Sequence, residues 1–135
     1  VAGYSPNPLS KKLGIKEGVS LYVKNPPADY LQLLDPIPED VKFVERLSAG
    51  MDMIHFFTKH RAELQAELAL LLTMIKQNGM IWISWPKKSS RVETDITEDV
   101  IREVSLPMGL VDIKVCAVDH VWSGLKLVIR KENRR

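Results

Sequence analysis

The chain has 135 residues, 45% apolar and 27% charged, with a formal net charge of +2 and a single cysteine, which bounds it to one ordinary globular domain with a real core. No apolar run approaches the ~20 residues of a membrane span, and the near-neutral balance argues against bulk nucleic-acid binding, which draws on a far more basic surface. The lone Cys116 excludes an internal disulfide, and no charged-then-apolar leader opens the chain at Val1, so a cytoplasmic protein is expected.

Residues 1–18 read as a lead-in. Pro6 and Pro8 precede a helical turn that ends at Gly14, and a second turn follows at Gly18. Val19 to Val23 is a first strand, ended by Pro26 and Pro27 in the loop Lys24–Tyr30. A brief helix over Tyr30 to Leu34 stops before Pro36 and Pro38. Val41 to Val44 and Met51 to Phe57 are the next strands, the second apolar except for Asp52 and His55. The strongest helix spans about His60 to Gln77. Leu64, Leu68, Leu71, Leu72 and Ile75 form its stripe, and Asn78-Gly79 is the expected stop.

Met80 to Trp85 is too short for a helix and rich in β-formers, which fits a strand buried on both faces. Pro86 stops it, and Lys87, Lys88, Ser89 and Ser90 follow at once. Thr94 to Asp99 reads as a helix start, capped either by Asp95 with Glu98 or by Thr97, with Ile96 stapled onto Ile101. Val100, Ile101 and Val104 face inward, and Pro107 with Gly109 ends the helix. Leu110 to Val118 alternates, with Val111, Ile113, Val115 and Ala117 on one side and Asp112 and Lys114 on the other. Leu125 to Ile129 alternates too, so the pair forms an antiparallel hairpin. The basic tail 130–135 is expected to fray.

This order predicts one Rossmann-like α/β domain over 1–135: three layers and a mostly parallel sheet ending in an antiparallel hairpin. The leader Lys11-Lys-Leu-Gly-Ile-Lys-Glu-Gly18, the turn and strand Asn78 to Pro86, and the closing hairpin resemble a truncated Rossmann-type methyltransferase domain. Three further blocks are similar to a bacterial family of small proteins of unknown function. These are Trp85 to Ser90, Thr94 to Glu98, and Gly109 to Asp119 with Trp122 to Lys126. The resemblance implies a fold more than an activity.

The chain departs from the methyltransferase pattern where the cofactor would bind. That family has a glycine-rich turn after its first strand, whereas Lys24 to Tyr30 contains no glycine. Prolines remove amide donors and add bulk where close approach is needed. For the acid that would hold a ribose, only Glu45 lies near the end of the second strand. Asn25-Pro-Pro is similar to the Asn-Pro-Pro-aromatic motif of amino-group methyltransferases, but that motif belongs after the fourth strand. Here Ala28 and Asp29 also intervene before Tyr30. No cofactor is therefore expected; S-adenosylmethionine remains possible but lacks the support of a glycine-rich turn.

In a parallel sheet the ligand edge is the carboxyl end of the strands. The loops expected there bring Lys24, Lys59, Arg61, Lys87, Lys88 and Arg91 against Asp29, Glu93 and Asp119. Free amides near Asp95 add to an anion site. The candidate ligand-binding residues are Asn25, Tyr30, Lys87, Lys88, Ser89, Ser90, His120 and Trp122. The chain's 3 histidines lack metal-ligand spacing, and no catalytic residue is assigned. Cys116 reads as an inert mid-strand thiol, Trp82 as core, and Trp85 and Trp122 as core or pocket wall. The leading expectation is a non-catalytic binding module for an anionic small molecule or a protein partner. The alternatives are an S-adenosylmethionine-dependent methyltransferase with a degenerate cofactor loop, and an interaction protein that docks through its hairpin edge.

Overall fold

The computed structural model describes residues 7–135; the opening of the expected lead-in, residues 1–6, lies outside them. The elements in chain order are α1 (Leu9–Lys12), β1 (Ser20–Lys24), α2 (Tyr30–Leu34), β2 (Lys42–Phe43), β3 (Met51–Phe57), α3 (Arg61–Met74), β4 (Ile75–Pro86), α4 (Glu98–Ser105), β5 (Leu110–Ala117) and β6 (Trp122–Ile129). They build one 6-stranded sheet in the order β2-β1-β3-β4-β6-β5. The strands from β2 to β4 pair in parallel, and β6 runs antiparallel to both β4 and β5. This is the Rossmann-like three-layer fold that the order of elements predicts.

The period-2 alternation of β3 and β4 divides the core between two faces. Ile54, Phe56, Ile81 and Ile83 point to one face, where Leu64, Leu68 and Leu71 of α3 and Ile101 and Val104 of α4 cover them. Met53, Phe57 and Trp82 point to the other, under Leu9 of α1, Leu13 just after it, and Tyr30 and Leu34 from α2. Trp82 is fully buried, and its indole Nε1 donates to the Leu13 carbonyl at 2.8 Å. That bond seats the turn after α1 on the centre of the sheet. Trp85 is also core rather than pocket wall, at 7% exposure. A buried side chain of this size contributes roughly 1.5–3 kcal/mol or more of transfer free energy.

Several boundaries differ from expectation. The long helix ends at Met74, not at Asn78-Gly79, and Ile75 is already extended. The pairing of β3 with β4 jumps from Met51↔Ile75 to Met53↔Met80, so residues 76–79 form a bulged entry to the central strand. Gly79 is needed inside that bulge, since a Cβ there would stand 3.0 Å from the Lys76 carbonyl and 3.1 Å from that of Met51. Of the two caps proposed for α4, Thr97 is the one formed, accepting from the Val100 amide at 3.2 Å. Asp95 instead accepts from the Arg61 amide at 2.7 Å, capping the start of α3 from another loop.

On β5 the apolar side is not covered. Ile113 and Val115 are 56% and 52% exposed, because β5 is an edge strand with a register irregularity between Asp112 and Lys114. The tail expected to fray is tied back instead. Lys131–Asn133 make a short 3-10 turn. The Asn133 side chain donates to the Gly109 carbonyl at 3.2 Å, and the Arg135 amide donates to Gln77 Oε1 at 3.1 Å.

Candidate functional site

Chain order sends β2 to one side of β1 and β3 to the other, so the direction of winding reverses between β1 and β3. In an open α/β sheet, the crevice beyond the strand ends at that reversal is where ligands bind. A cleft of about 270 Å³ lies there, lined by Asn25, Pro26 and Pro27 after β1, Phe57 at the end of β3 and Thr58 to His60 after it, Glu63 of α3, and Trp122 of β6. Its volume sits just below the roughly 300–1,000 Å³ usual for small-molecule sites, so a larger ligand would extend over its open rim.

Local chemistry fixes the walls. Asn25 adopts a left-handed backbone, φ 56°, a conformation that asparagine tolerates better than most residues. Its side chain donates to the Phe57 carbonyl at 3.3 Å, tying the two strand ends together. Trp122 stands edge-on to Phe57, ring centres 5.1 Å apart. Thr58 Oγ1 donates to Glu63 Oε1 at 2.5 Å and accepts from the His60 amide at 3.3 Å, which rigidifies the turn into α3.

Beneath this cleft lies a buried polar relay. His55 is fully buried and stacks on Phe57 at 4.3 Å. Its Nδ1 is hydrogen-bonded to the Tyr30 hydroxyl at 2.8 Å, and its Nε2 to the Ser84 hydroxyl at 2.7 Å. Burial drives the imidazole pKa down to about 3, so it is neutral, one nitrogen donating and the other accepting. Burial also pushes the Tyr30 hydroxyl well above its ordinary value. A serine–histidine–tyrosine series has the hydrogen-bonding order of a nucleophile and its base, but Ser84 is completely enclosed. Here the relay supports the cleft floor from below.

The expected site residues therefore divide. Asn25 and Trp122 line one cleft. Tyr30 is 4% exposed and belongs to the relay, so it does not face the cleft. Lys87 stays close through its backbone, whose amide donates to the Val121 carbonyl at 2.6 Å. Lys88, Ser89 and Ser90 form a 3-10 turn at the same sheet edge, outside the cleft lining. His120 is exposed at the hairpin tip beside Asp119. Asp119 Oδ1 accepts from the amides of Val121 and Trp122, so that carboxylate holds the turn. Sequence reasoning placed the loop from Thr58 at the ligand edge but missed Phe57 and Glu63 as wall residues. Phe57 could have been signalled by its place at the end of β3, whereas Glu63, within α3, carried no local signal. Among the described residues no group of three or more histidine, cysteine or acidic side chains could hold a metal. No helix of the described chain is long and apolar enough to cross a membrane. Cys116 is half-buried, and burial raises its thiol pKa above the ordinary value.

No family model matches the chain, and no curated protein matches its sequence. Solved structures do match its fold, S-adenosylmethionine-dependent methyltransferases among them. An S-adenosylmethionine-dependent methyltransferase from Aquifex aeolicus superposes with a TM-score of 0.62 at 16% identity, covering 94% of this chain and 91% of that one. Magnesium protoporphyrin IX methyltransferase from Synechocystis PCC 6803, with S-adenosylmethionine bound, gives 0.59 at 10% identity, covering 90% and 74%. Fibrillarin from Aeropyrum pernix, with natively bound S-adenosylmethionine, gives 0.57 at 14%, covering 93% and 70%. The fold class is thus methyltransferase-like.

These neighbours overturn the expectation of no cofactor, which rested on the glycine-free, proline-bearing loop after β1, the lack of a well-placed ribose acid and the displaced Asn-Pro-Pro; two of the three hold S-adenosylmethionine. The residues present fit such a ligand in kind. Pro26 and Pro27 offer no amide donors. The cleft does carry a carboxylate, an amide and a hydroxyl in Glu63, Asn25 and Thr58, with the aromatic surface of Trp122 over a fully buried Phe57. Glu45 is exposed just past the end of β2, the strand next to β1.

Proposed function

We propose that the chain is an S-adenosylmethionine-dependent methyltransferase whose cofactor cleft is held by side chains in place of the glycine-rich turn of the methyltransferase pattern. The observation that carries this reading is the cleft itself, at the winding reversal between β1 and β3. Asn25, Thr58 and Glu63 would hold the polar parts of the cofactor, and Glu45 its ribose. The ring of Trp122, half-buried at the cleft wall, suits a sulfonium cation, which aromatic quadrupoles attract. Once bound, the cofactor supplies an electrophilic methyl group. The same reading takes the chain as a member of the bacterial family that its three sequence blocks resemble, working in the cytoplasm.

Calorimetry with S-adenosylmethionine and with S-adenosylhomocysteine tests it. Both should bind, and Trp122→Ala should weaken binding about tenfold. No heat with either ligand overturns the proposal.

The prolines after β1 and Lys59 in the cleft lining favour a second reading, a non-catalytic module whose ligand is an anionic small molecule. In that case a nucleotide raises the melting temperature, and replacing Lys87 and Lys88 together by alanine abolishes the rise. The exposed Ile113 and Val115 on the β5 edge keep a protein partner in view, which light scattering with pull-down would detect.

A further inference from the structure

Four lysines from three separate segments meet on the sheet face that α1 covers, away from the strand-edge cleft. Lys12 and Lys16 flank the turn at Gly14, Lys114 comes from β5 and Lys126 from β6. Lys114 and Lys126 stand directly opposite each other in the antiparallel ladder. Lys114 Nζ donates to the Lys12 carbonyl at 2.9 Å, and Lys12 Nζ donates to the Ala117 carbonyl at 3.1 Å. A Cβ placed on Gly14 would lie 3.9 Å from Lys126 Nζ. The turn that carries Lys12 and Lys16 is fixed in place, since Gly14 takes φ 80° and the carbonyl before it accepts from Trp82.

Like charges directly opposite on paired strands destabilise a sheet. Among the described residues none of these lysines forms an ion pair with a carboxylate. Burial, then Lys114 and Lys16, hold the Lys126 pKa below its ordinary value. The neighbouring carbonyls each take one N–H, and every ammonium has more to give. An apolar cleft of about 450 Å³, lined by Pro8, Ile15, Pro36 and Ile37 among others, runs up to Gly14 and Lys16.

We propose that this lysine cradle binds a small, soluble phosphate-bearing molecule, its phosphate held by Lys12, Lys16, Lys114 and Lys126 and its organic part lying toward the apolar cleft. A phosphate matches the local charge better than a monovalent carboxylate does. The compactness of the group, on a chain of net charge +2, suits a small ligand over a polynucleotide. The site is independent of the methyltransferase reading, and its test uses a ligand that the cofactor cleft does not require.

The experiment follows thermal unfolding with pyrophosphate against sodium chloride at equal ionic strength. Wild type should melt several degrees higher with pyrophosphate. Lys126→Met should melt no lower than wild type without ligand, because a repulsion is removed, and should lose the pyrophosphate shift. Lys88→Met, at the strand edge, should keep it. No shift beyond the salt control, or an equal shift in Lys126→Met, overturns the proposal. A second measurement needs no variant: limited acylation of wild-type amines, read by peptide mass spectrometry. Pyrophosphate should slow modification of Lys12, Lys16, Lys114 and Lys126 while leaving Lys88 unchanged. Uniform protection, or none, counts equally against the site.

Discussion

Under α3 and α4 the sheet buries almost nothing but apolar side chains, whereas under α1 and α2 it buries a histidine, a tyrosine hydroxyl and a serine among them. On the second face each polar atom has a partner: Tyr30 and Ser84 bracket His55, and Trp82 reaches the Leu13 carbonyl. On the first, the Ser105 hydroxyl at the end of α4 is the one buried side-chain polar atom, among the described residues, without a partner. The difference teaches where specificity resides. Apolar packing stabilises either face at roughly 25 cal/mol per Å², but it tolerates many arrangements. A linked set of buried hydrogen bonds tolerates few, and it lies directly beneath the candidate cleft.

The largest expected effect comes from breaking the polar face at its centre. Trp82→Ala removes the largest fully buried side chain and releases the Leu13 carbonyl, so urea unfolding should show a loss of about 3–5 kcal/mol. Leu68→Ala on the other face, which breaks no hydrogen bond, falls in the range of about 2–5 kcal/mol; a greater loss there than at Trp82 would reverse the comparison.

Next comes the relay. Ser84→Ala leaves His55 Nε2 buried without a partner and should cost about 1–3 kcal/mol. The relay also predicts a pH dependence of definite sign. In the folded chain His55 titrates only near pH 3, against about 6.5 when unfolded, so below 6.5 the unfolded state binds more protons. The stabilisation is fully present above about pH 6.5 and declines as pH falls toward 3, at up to about 1.4 kcal/mol per pH unit. Denaturant midpoints measured from pH 7 to 5 should fall in wild type and flatten in His55→Gln; a flat wild-type profile would refute a neutral buried imidazole.

The unequal faces also explain what could be read in the sequence. The Met51 to Phe57 strand, the Leu64–Leu68–Leu71 stripe and the mostly parallel order followed from periodicity, because burial of apolar residues imposes it. The end of α3 was misplaced because Asn78-Gly79 has the chemistry of a helix stop and serves here in a strand bulge. The apolar side of β5 was legible as a stripe, but not its exposure, which depends on that strand standing at the sheet edge. At the site, Asn25 and Trp122 were found because topology brings strand ends together. Tyr30 was placed beside them although its ring turns inward, since no local pattern distinguishes a tyrosine that meets a buried histidine 25 residues away. The lysine cradle escaped notice for the same reason: its members are separated by up to 114 positions and meet only through tertiary pairing.

Smaller effects sharpen the contrast. Ser105→Ala should raise stability by up to about 1 kcal/mol, because it removes a buried hydroxyl that has no partner. A loss instead would show that the apolar face hides a polar contact of its own. At the strand edge the balance is different again. Lys88 is exposed in a turn held by backbone and serine bonds, with Ser90 Oγ donating to the Lys87 carbonyl at 2.6 Å. Lys88→Ala should therefore shift unfolding by less than about 0.5 kcal/mol, as surface changes away from special features do. If it cost as much as Ser84→Ala, the edge loop would be part of the folding core, and the cations beside the cleft would owe their position to stability and not to a ligand.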